Sequence, residues 1–191
     1  MPVSPTKNLV HIALFAALFA ALGIFPPLVV PLLGVPVTAQ SMGVMLAGDI
    51  LGARRGASAA ALFLILVAAG LPLLSGGRGG LGVFAGPSGG FVMGYFFGAW
   101  VCGFLTERMW GSLNHVKSFL ISAAGGIGVV YALGIPWIVA VTDLTPVQAL
   151  TGSAAFIPGD LIKAVCAAAV IMTVRRAYPL IASAGTSDGR A

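Results

Sequence analysis

The chain has 191 residues, of which 59% are hydrophobic and only 8% are Asp, Glu, Lys or Arg. A soluble domain carries roughly a quarter charged residues, so this composition excludes a water-soluble fold of this size. The net charge of +5 does not indicate a nucleic-acid partner, because the basic residues are placed as a membrane topology requires. The composition predicts an integral membrane protein embedded in a lipid bilayer.

Six apolar segments are candidates for transmembrane helices, each of which needs about 20 apolar residues. In chain order they are 9–32, 39–53, 57–74, 88–106, 118–141 and 157–174. Lys7 before the first segment resembles the start of a signal peptide, but five more apolar segments follow, so we expect a retained helix. The sequence predicts an all-α integral membrane protein with six transmembrane helices.

The basic residues predict the orientation of these helices. Arg78 lies in a loop on one side of the membrane, and Lys163 lies within the last segment. The other basic residues all fall on the opposite side, namely Lys7, Arg54, Arg55, Arg108, Lys117, Arg175, Arg176 and Arg190. Because cytoplasmic loops carry the excess of Lys and Arg, we expect both termini in the cytoplasm. We expect one membrane domain, 1–181, and a disordered polar cytoplasmic tail, 182–191.

Two irregular segments interrupt the predicted helices on the outer side. Segment 39–53 would rise only about 22 Å, so the preceding GVPVTAQ (34–40) is expected to dip into the membrane. Non-helical backbone at that depth survives only where protein buries it or it lines a cavity. In GGRGGLGVFAGPSGG (76–90), eight of the fifteen residues are glycine. This composition fits either a flexible exposed loop or a close backbone approach to a ligand.

The last segment begins with FIPGDLIKA (156–164), which contains two charged residues. Asp160 follows Pro158 in the predicted first turn, where the helix dipole favours an anion. Lys163 opposes that dipole and lies in the outer half of the membrane. One interpretation is a structural pair at spacing i, i+3 or a lysine that reaches outward to the interface. The other is a cavity for a polar ligand with an anionic end.

Other polar residues in these segments also have two interpretations. Gln40 opens the second helix and either binds a ligand or satisfies backbone groups. Tyr131 and Trp137 are either interface anchors or ring-facing contacts of a ligand. Asp49 lies close in sequence to the arginines at 54–55, which favours a local ion pair.

Small residues mark one face of the first helix. Ala13, Ala17 and Ala21 are spaced four apart, with Ala16 and Ala20 beside them. Such a face lets helices approach closely in lipid. Packing inside the protein and docking of a partner explain it equally well.

The sequence contains no motif for catalysis. GxxxxGK[ST] and HExxH do not occur, and GPSGG (86–90) is not the GxSxG nucleophile elbow. Five acidic residues and the isolated Cys102 and Cys166 offer no metal cluster or disulfide framework. We expect neither an enzyme nor a bound cofactor or metal.

Three motifs in chain order resemble one known family. GVPVTAQ (34–40), GGRGGLGVFAGPSGGF (76–91) and PGDLIKA (158–164) are similar to the BioY family, the biotin-specific substrate-binding S component of energy-coupling factor (ECF) transporters. Members often have Thr at the position of Ser88 and Tyr at that of Phe91, and a small residue is common at that of Arg78. The resemblance covers most of the chain.

The resemblance implies an S-component-like bundle in a bacterial cell membrane that captures biotin from the outer face with high affinity. It implies a partner surface at Ala13, Ala17 and Ala21 for the transmembrane coupling protein, with ATPase subunits supplying the energy. A self-sufficient or homo-oligomeric carrier, an S component for another vitamin, and a ligand-free assembly subunit are the alternatives. The implied biotin-binding residues are Asp160, Lys163, Gln40, Gly86, Ser88, Gly89 and Trp137.

Overall fold

The computed structural model describes residues 5–30, 33–177 and 180–181. The predicted tail 182–191 lies outside the described residues. Helices dominate the fold, as the composition predicts. They are α1 (Pro5–Leu22), α2 (Gln40–Leu51), α3 (Ala53–Ala68), α4 (Gly82–Ala85), α5 (Gly89–Met109), α6 (His115–Ala123), α7 (Val130–Val141), α8 (Pro146–Ala154) and α9 (Ile157–Ala177).

Four helical stretches among the described residues are long and apolar enough to cross a membrane. They are Pro5–Leu22, Gly89–Ser112, His115–Val141 and Ile157–Ala177. Helices α2 and α3 have 12 and 16 residues, which correspond to about 18 and 24 Å. A multi-pass membrane protein is therefore supported, and the two short helices are the ones on which the predicted count of six depends.

Helix α1 ends at Leu22, ten residues before the predicted end of the first segment. Pro26 and Pro27 follow, and a proline disfavours helical backbone in the residue before it and removes an N–H donor. The chain instead forms an antiparallel hairpin of β1 (Leu28–Val30) and β2 (Val35–Val37). This small sheet is an addition to the helical fold that the sequence did not predict.

The predicted outer connection 142–156 contains helix α8. Thr145 caps its N-terminus in a capping box with Gln148, and Pro146 occupies the first turn. The two side chains satisfy backbone N–H groups that a helix start leaves unpaired. The sequence signal for this helix was present, but the segment was predicted only as a loop.

The core forms where α5 packs against α2, α3 and α7. Phe19 of α1 stacks on Phe63 of α3 with ring centroids 5.2 Å apart, and on Tyr95 of α5 at 6.0 Å. A Cβ on Gly48 would come within 2.4 Å of the Ala99 carbonyl oxygen. The close approach of α2 and α5 therefore requires glycine at position 48.

The predicted helix 118–141 is longer and irregular. Residues His115–Val141 form one continuous stretch, but Ala124–Val129 between α6 and α7 adopts π-helical geometry. Such widened turns occur frequently at functional sites. Here the π-helical segment lets Gly126 lie against the side chain of Met45, where an added Cβ would approach to 2.5 Å.

The predicted ion pair of Asp49 with the arginines at 54–55 is wrong. Asp49 is fully buried and accepts hydrogen bonds from Thr106 and Ser122 instead. The Arg55 guanidinium donates to the carbonyls of Leu51 and Leu180. Proximity in sequence did not predict the partners, because the Asp49 side chain faces α5 and α6.

Candidate functional site: a polar cavity at the start of α9

The acidic centre of the site is Asp160, in the first turn of α9. Its carboxylate is buried, and its backbone N–H donates to the Phe156 carbonyl as the helix begins. Oδ1 accepts from the Ser41 hydroxyl at 3.0 Å, and Oδ2 accepts from the Tyr131 hydroxyl at 2.5 Å. Residues of α2, α7 and α9, up to 119 positions apart, thus meet at one carboxylate.

Lys163 lies one turn further along α9 and completes the polar cluster. Its ammonium donates to Asp160 Oδ1 at 2.7 Å, to the Thr38 carbonyl at 2.6 Å and to the Ser41 hydroxyl at 3.0 Å. The Lys163 side chain is only 16% exposed. These contacts explain a cation at an unfavourable helix end, because a carboxylate and a carbonyl compensate its charge.

A cavity of about 380 Å³, including the space at its open mouth, lies beside this cluster. Backbone and side chains at 35–38 form one wall, where the sequence predicts non-helical backbone around a cavity. The lining residues are Val35, Pro36, Val37, Thr38, Ser41, Phe91, Tyr95, Gly126, Val130, Tyr131, Phe156, Asp160 and Lys163.

Aromatic rings form part of the cavity wall. Phe91 and Tyr131 meet edge to face with centroids 5.9 Å apart, and each also contacts Phe156 edge to face at 6.5 Å. Edge-to-face pairs fix ring orientation as well as burying area. The site therefore combines an aromatic wall with one charged and hydrogen-bonded patch.

Gln40 does not line this cavity, although it is adjacent in sequence to Ser41. Its amide nitrogen donates to the carbonyls of Phe19 and Leu73, both at 3.0 Å, and its oxygen accepts from the Ser75 N–H at 3.1 Å. These contacts match the alternative role of satisfying backbone groups. Gln40 thereby ties the end of α1 and the loop before Ser75 to the start of α2.

The glycine-rich loop is packed against α7 rather than against the cavity. Trp137 Nε1 donates to the Gly86 carbonyl at 3.0 Å, and a Cβ on Gly89 would meet the Phe84 carbonyl oxygen at 2.0 Å. Arg78 donates to the Ser88 hydroxyl at 3.1 Å. Among the described residues, none of Gly86, Ser88, Gly89 and Trp137 lines the cavity.

Sequence reasoning missed Thr38, Ser41 and Phe156 as site residues, and it left Tyr131 with two interpretations. Thr38 and Ser41 flank Gln40 near the start of the short helix. The sequence shows that this region is irregular, but it does not show which side of α2 faces α9. Phe156 immediately precedes the charged motif, and this adjacency was the available signal.

The predicted partner surface lies on the exposed side of α1. Ala13, Ala17 and Ala21 are exposed, whereas Ala16 is buried against the core. A shallow apolar groove is lined by Leu14, Phe15, Ala17, Leu18 and Ala21. The alanine pattern thus divides into a packing face and an outward face.

The fold and site define a class of protein: a membrane-embedded helical bundle with a polar, aromatic-walled cavity for a small molecule. A family model described as the BioY family matches residues 1–180. The chain belongs to this family. It is 52% identical to a biotin transporter BioY of Rhizobium etli, over 92% of this chain and 97% of that protein.

A second relative and a solved structure are also similar to this chain. The chain is 45% identical to a biotin transporter BioY of Rhodobacter capsulatus, over 91% of this chain and 95% of that one. A crystal structure of the S-component for biotin from an ECF-type ABC transporter is similar with a TM-score of 0.86 and 32% identity. The likeness covers 90% of this chain and 92% of that chain.

Proposed function

We propose that this protein binds biotin within the membrane and mediates its uptake as the S component of an ECF-type transporter. The observation that carries the proposal is the ion pair of the buried Asp160 with the partly buried Lys163 in the wall of the cavity. Relatives named as biotin transporters support the choice of ligand. In this proposal the protein is a transport subunit and not an enzyme. Biotin is its cargo, and the protein requires no cofactor.

The site chemistry fits the polar ring of biotin. A ureido group offers two N–H donors and one carbonyl, which match a carboxylate acceptor and an ammonium or hydroxyl donor. Lys163 Nζ lies 2.7 Å from Asp160 Oδ1, so both side chains contact the same end of a long ligand. The aromatic wall of Phe91, Tyr131 and Phe156 then covers the apolar ring.

The proposed topology is the six-span arrangement with both termini in the cytoplasm of a bacterial cell. Helices α2 and α3, although short, supply the two spans beyond the four long stretches. The described residues 23–30 and 33–39, together with 69–88, complete the crossing where protein packs around them, which is the condition for non-helical backbone in a membrane. This arrangement opens the cavity to the outer face.

The exposed alanine face of α1 is the proposed docking surface for the transmembrane coupling protein, which works with ATPase subunits. Small side chains allow close helix contact, so Ala17→Leu is expected to weaken co-purification with that partner while biotin still binds. Ala169→Leu on the exposed side of α9 is the matched control. Equal loss of the partner in both variants contradicts this surface.

Equilibrium binding to the purified full chain tests the function. Labelled biotin is expected to bind saturably, and riboflavin and thiamine are expected not to displace it. Binding of another vitamin in preference to biotin overturns the ligand assignment. In proteoliposomes, uptake without any ATPase subunit supports the self-sufficient carrier instead of the S component.

A further inference from the structure

A second buried carboxyl group lies in the opposite half of α2 from the ligand cavity. Asp49 is fully buried and accepts from Thr106 Oγ1 on α5 and from Ser122 Oγ on α6, each at 2.7 Å. Both of these partners are uncharged. The carboxyl group therefore joins three helices through hydroxyl hydrogen bonds, and no cation among the described residues pairs with it as Lys163 pairs with Asp160.

An ionised carboxylate is expensive to bury unless a charge compensates it, whereas a neutral carboxylic acid needs only hydrogen bonds. Hydroxyl groups suit both forms, because a serine or threonine rotates between donating and accepting. The side chains around Asp49 thus accept a proton on the carboxyl without any movement of heavy atoms. At 2.7 Å the oxygens are hydrogen-bonded directly, which leaves no space between them for a metal ion.

A polar path continues from this site along α6. Ser118 lies one turn before Ser122 on the same face, and its hydroxyl is buried without a hydrogen-bond partner among the described residues. Buried hydroxyls are normally satisfied by protein or by ordered water. A buried hydroxyl one helical turn from Ser122 indicates a position at which a water molecule or a proton donor is accommodated.

One face of α2 connects Asp49 to the ligand cavity. Ser41, Met45 and Asp49 are spaced four apart, so they share that face over about 12 Å. Ser41 donates to Asp160 in the cavity. Met45 packs on Gly126, which lines the cavity within the π-helical segment that begins two residues after Ser122. A shift of α2 relative to this segment therefore changes both sites together.

We propose that Asp49 is a proton-binding site linked to the ligand cavity. The carboxyl group holds a proton when α2, α5 and α6 pack as in this structure, and it releases the proton to water when that packing opens. Ligand binding stabilises the packed arrangement through Ser41 and Asp160. By thermodynamic reciprocity, biotin binding and proton binding then favour each other.

Other titratable groups lie on the helices that pack against α2. Cys102 on α5 donates its thiol hydrogen to the Ile121 carbonyl. Glu107 accepts from the Ala53 N–H, and Arg175 donates to the carbonyls of Leu113 and Trp110. The remaining groups are His11 and Lys7 on α1, Arg54 and Arg55 on α3, Tyr95 and Arg108 on α5, His115 and Lys117 on α6, and Asp160, Lys163, Cys166 and Arg176 on α9.

Infrared difference spectroscopy on the purified full chain tests the proton directly, without ligand. We expect the carbonyl stretch of a neutral carboxylic acid near neutral pH in the wild type. Asp49→Asn is expected to remove it, and Asp143→Asn, an exposed acid, is expected to leave it. Ser122→Ala, which retains the acid, is expected to shift the band. Its presence in Asp49→Asn, or its insensitivity to Ser122→Ala, overturns the assignment.

The link to the cavity is tested by biotin affinity as a function of pH, and this part rests on the proposed function. The proton-bound state is the one that binds biotin, so affinity is expected to fall as pH rises, by up to about tenfold per pH unit for one proton. The permanently neutral Asp49→Asn is expected to lack this loss. Identical pH profiles, or a sodium dependence that Asp49→Asn abolishes, overturn the link. Absence of biotin binding refutes the proposed function, while the infrared result still decides the proton site.

Discussion

Replacement of Lys163 by methionine is the sharpest test of the ligand site. Methionine keeps the unbranched shape of the lysine stem but lacks the ammonium. That ammonium donates to Thr38, Ser41 and Asp160 at 2.6 to 3.0 Å. Among the described side chains, the Asp160 carboxylate then keeps the hydroxyls of Ser41 and Tyr131 as its hydrogen-bond donors. The variant therefore removes a candidate ligand contact and leaves a buried carboxylate without its cation.

The expected loss of biotin affinity follows from one charge-assisted hydrogen bond. Such a bond contributes about 1.5–3 kcal/mol, which corresponds to roughly 10- to 150-fold in the dissociation constant. Breaking a buried ion pair costs a further few kcal/mol in the stability of the protein. This second effect is expected to lower the melting temperature of the ligand-free protein rather than to act on binding alone.

Equilibrium binding of labelled biotin to Lys163→Met, Asp160→Asn and the double variant separates these two effects. If Lys163 contacts biotin, the double variant is expected to bind no better than the weaker single variant. Lys117→Met on α6, which lies outside the cavity wall, is the matched control and is expected to bind normally. Recovery of wild-type affinity in the double variant would refute a direct role of Lys163, because its charge would then serve only to neutralise Asp160.

Three further changes test the surroundings of the site. Gln40→Leu leaves the Ser75 N–H and two carbonyls unpaired, at about 1–3 kcal/mol for each unsatisfied group. We therefore expect a much lower melting temperature than for the exposed Gln148→Leu. Similar melting temperatures for both variants contradict the role of Gln40 in connecting α1, α2 and the loop before Ser75. Gly126→Ala places a Cβ 2.5 Å from Met45, so overpacking of about 1–3 kcal/mol is expected with weaker biotin binding. Gly128→Ala, with 3.9 Å of clearance, is its control, and an equal effect of the two refutes the packing argument. Trp137→Phe loses the bond to the Gly86 carbonyl, and thermal denaturation is expected to show a loss of about 0.5–1.5 kcal/mol; an unchanged midpoint removes this anchor of the glycine-rich loop.

The part of the site that lies within one helix turn was predictable from the sequence. Asp160 and Lys163 are three residues apart in a helix that Pro158 starts, so their proximity follows from helix geometry. Their unusual position in an apolar segment indicated a function. The hairpin of β1 and β2 and the helix α8 were not predicted, although Pro26, Pro27 and the Thr145–Gln148 capping box were visible signals.

The sequence did not decide which of two neighbouring residues faces the ligand cavity. Gln40 and Ser41 are adjacent, and each was equally able to face a ligand. The two side chains point about 100° apart around the helix, and only the packing of α2 between α1, α5 and α9 directs Ser41 to Asp160 and Gln40 to Phe19. Likewise, Asp49 faces Thr106 and Ser122 rather than the arginines five and six residues away.

The sequence by itself determined that the chain lies in a membrane, where irregular backbone interrupts its helices, and which helix start carries a charged pair. These properties depend on composition and on the spacing of residues within one helix or loop. They do not depend on how the helices pack against one another. The tertiary structure decided which side chains join Asp160 and Lys163, that the glycine-rich loop packs on Trp137, and that Asp49 links three helices. Those outcomes depend on the rotation of each helix about its own axis, which is set by contacts between residues far apart in the chain.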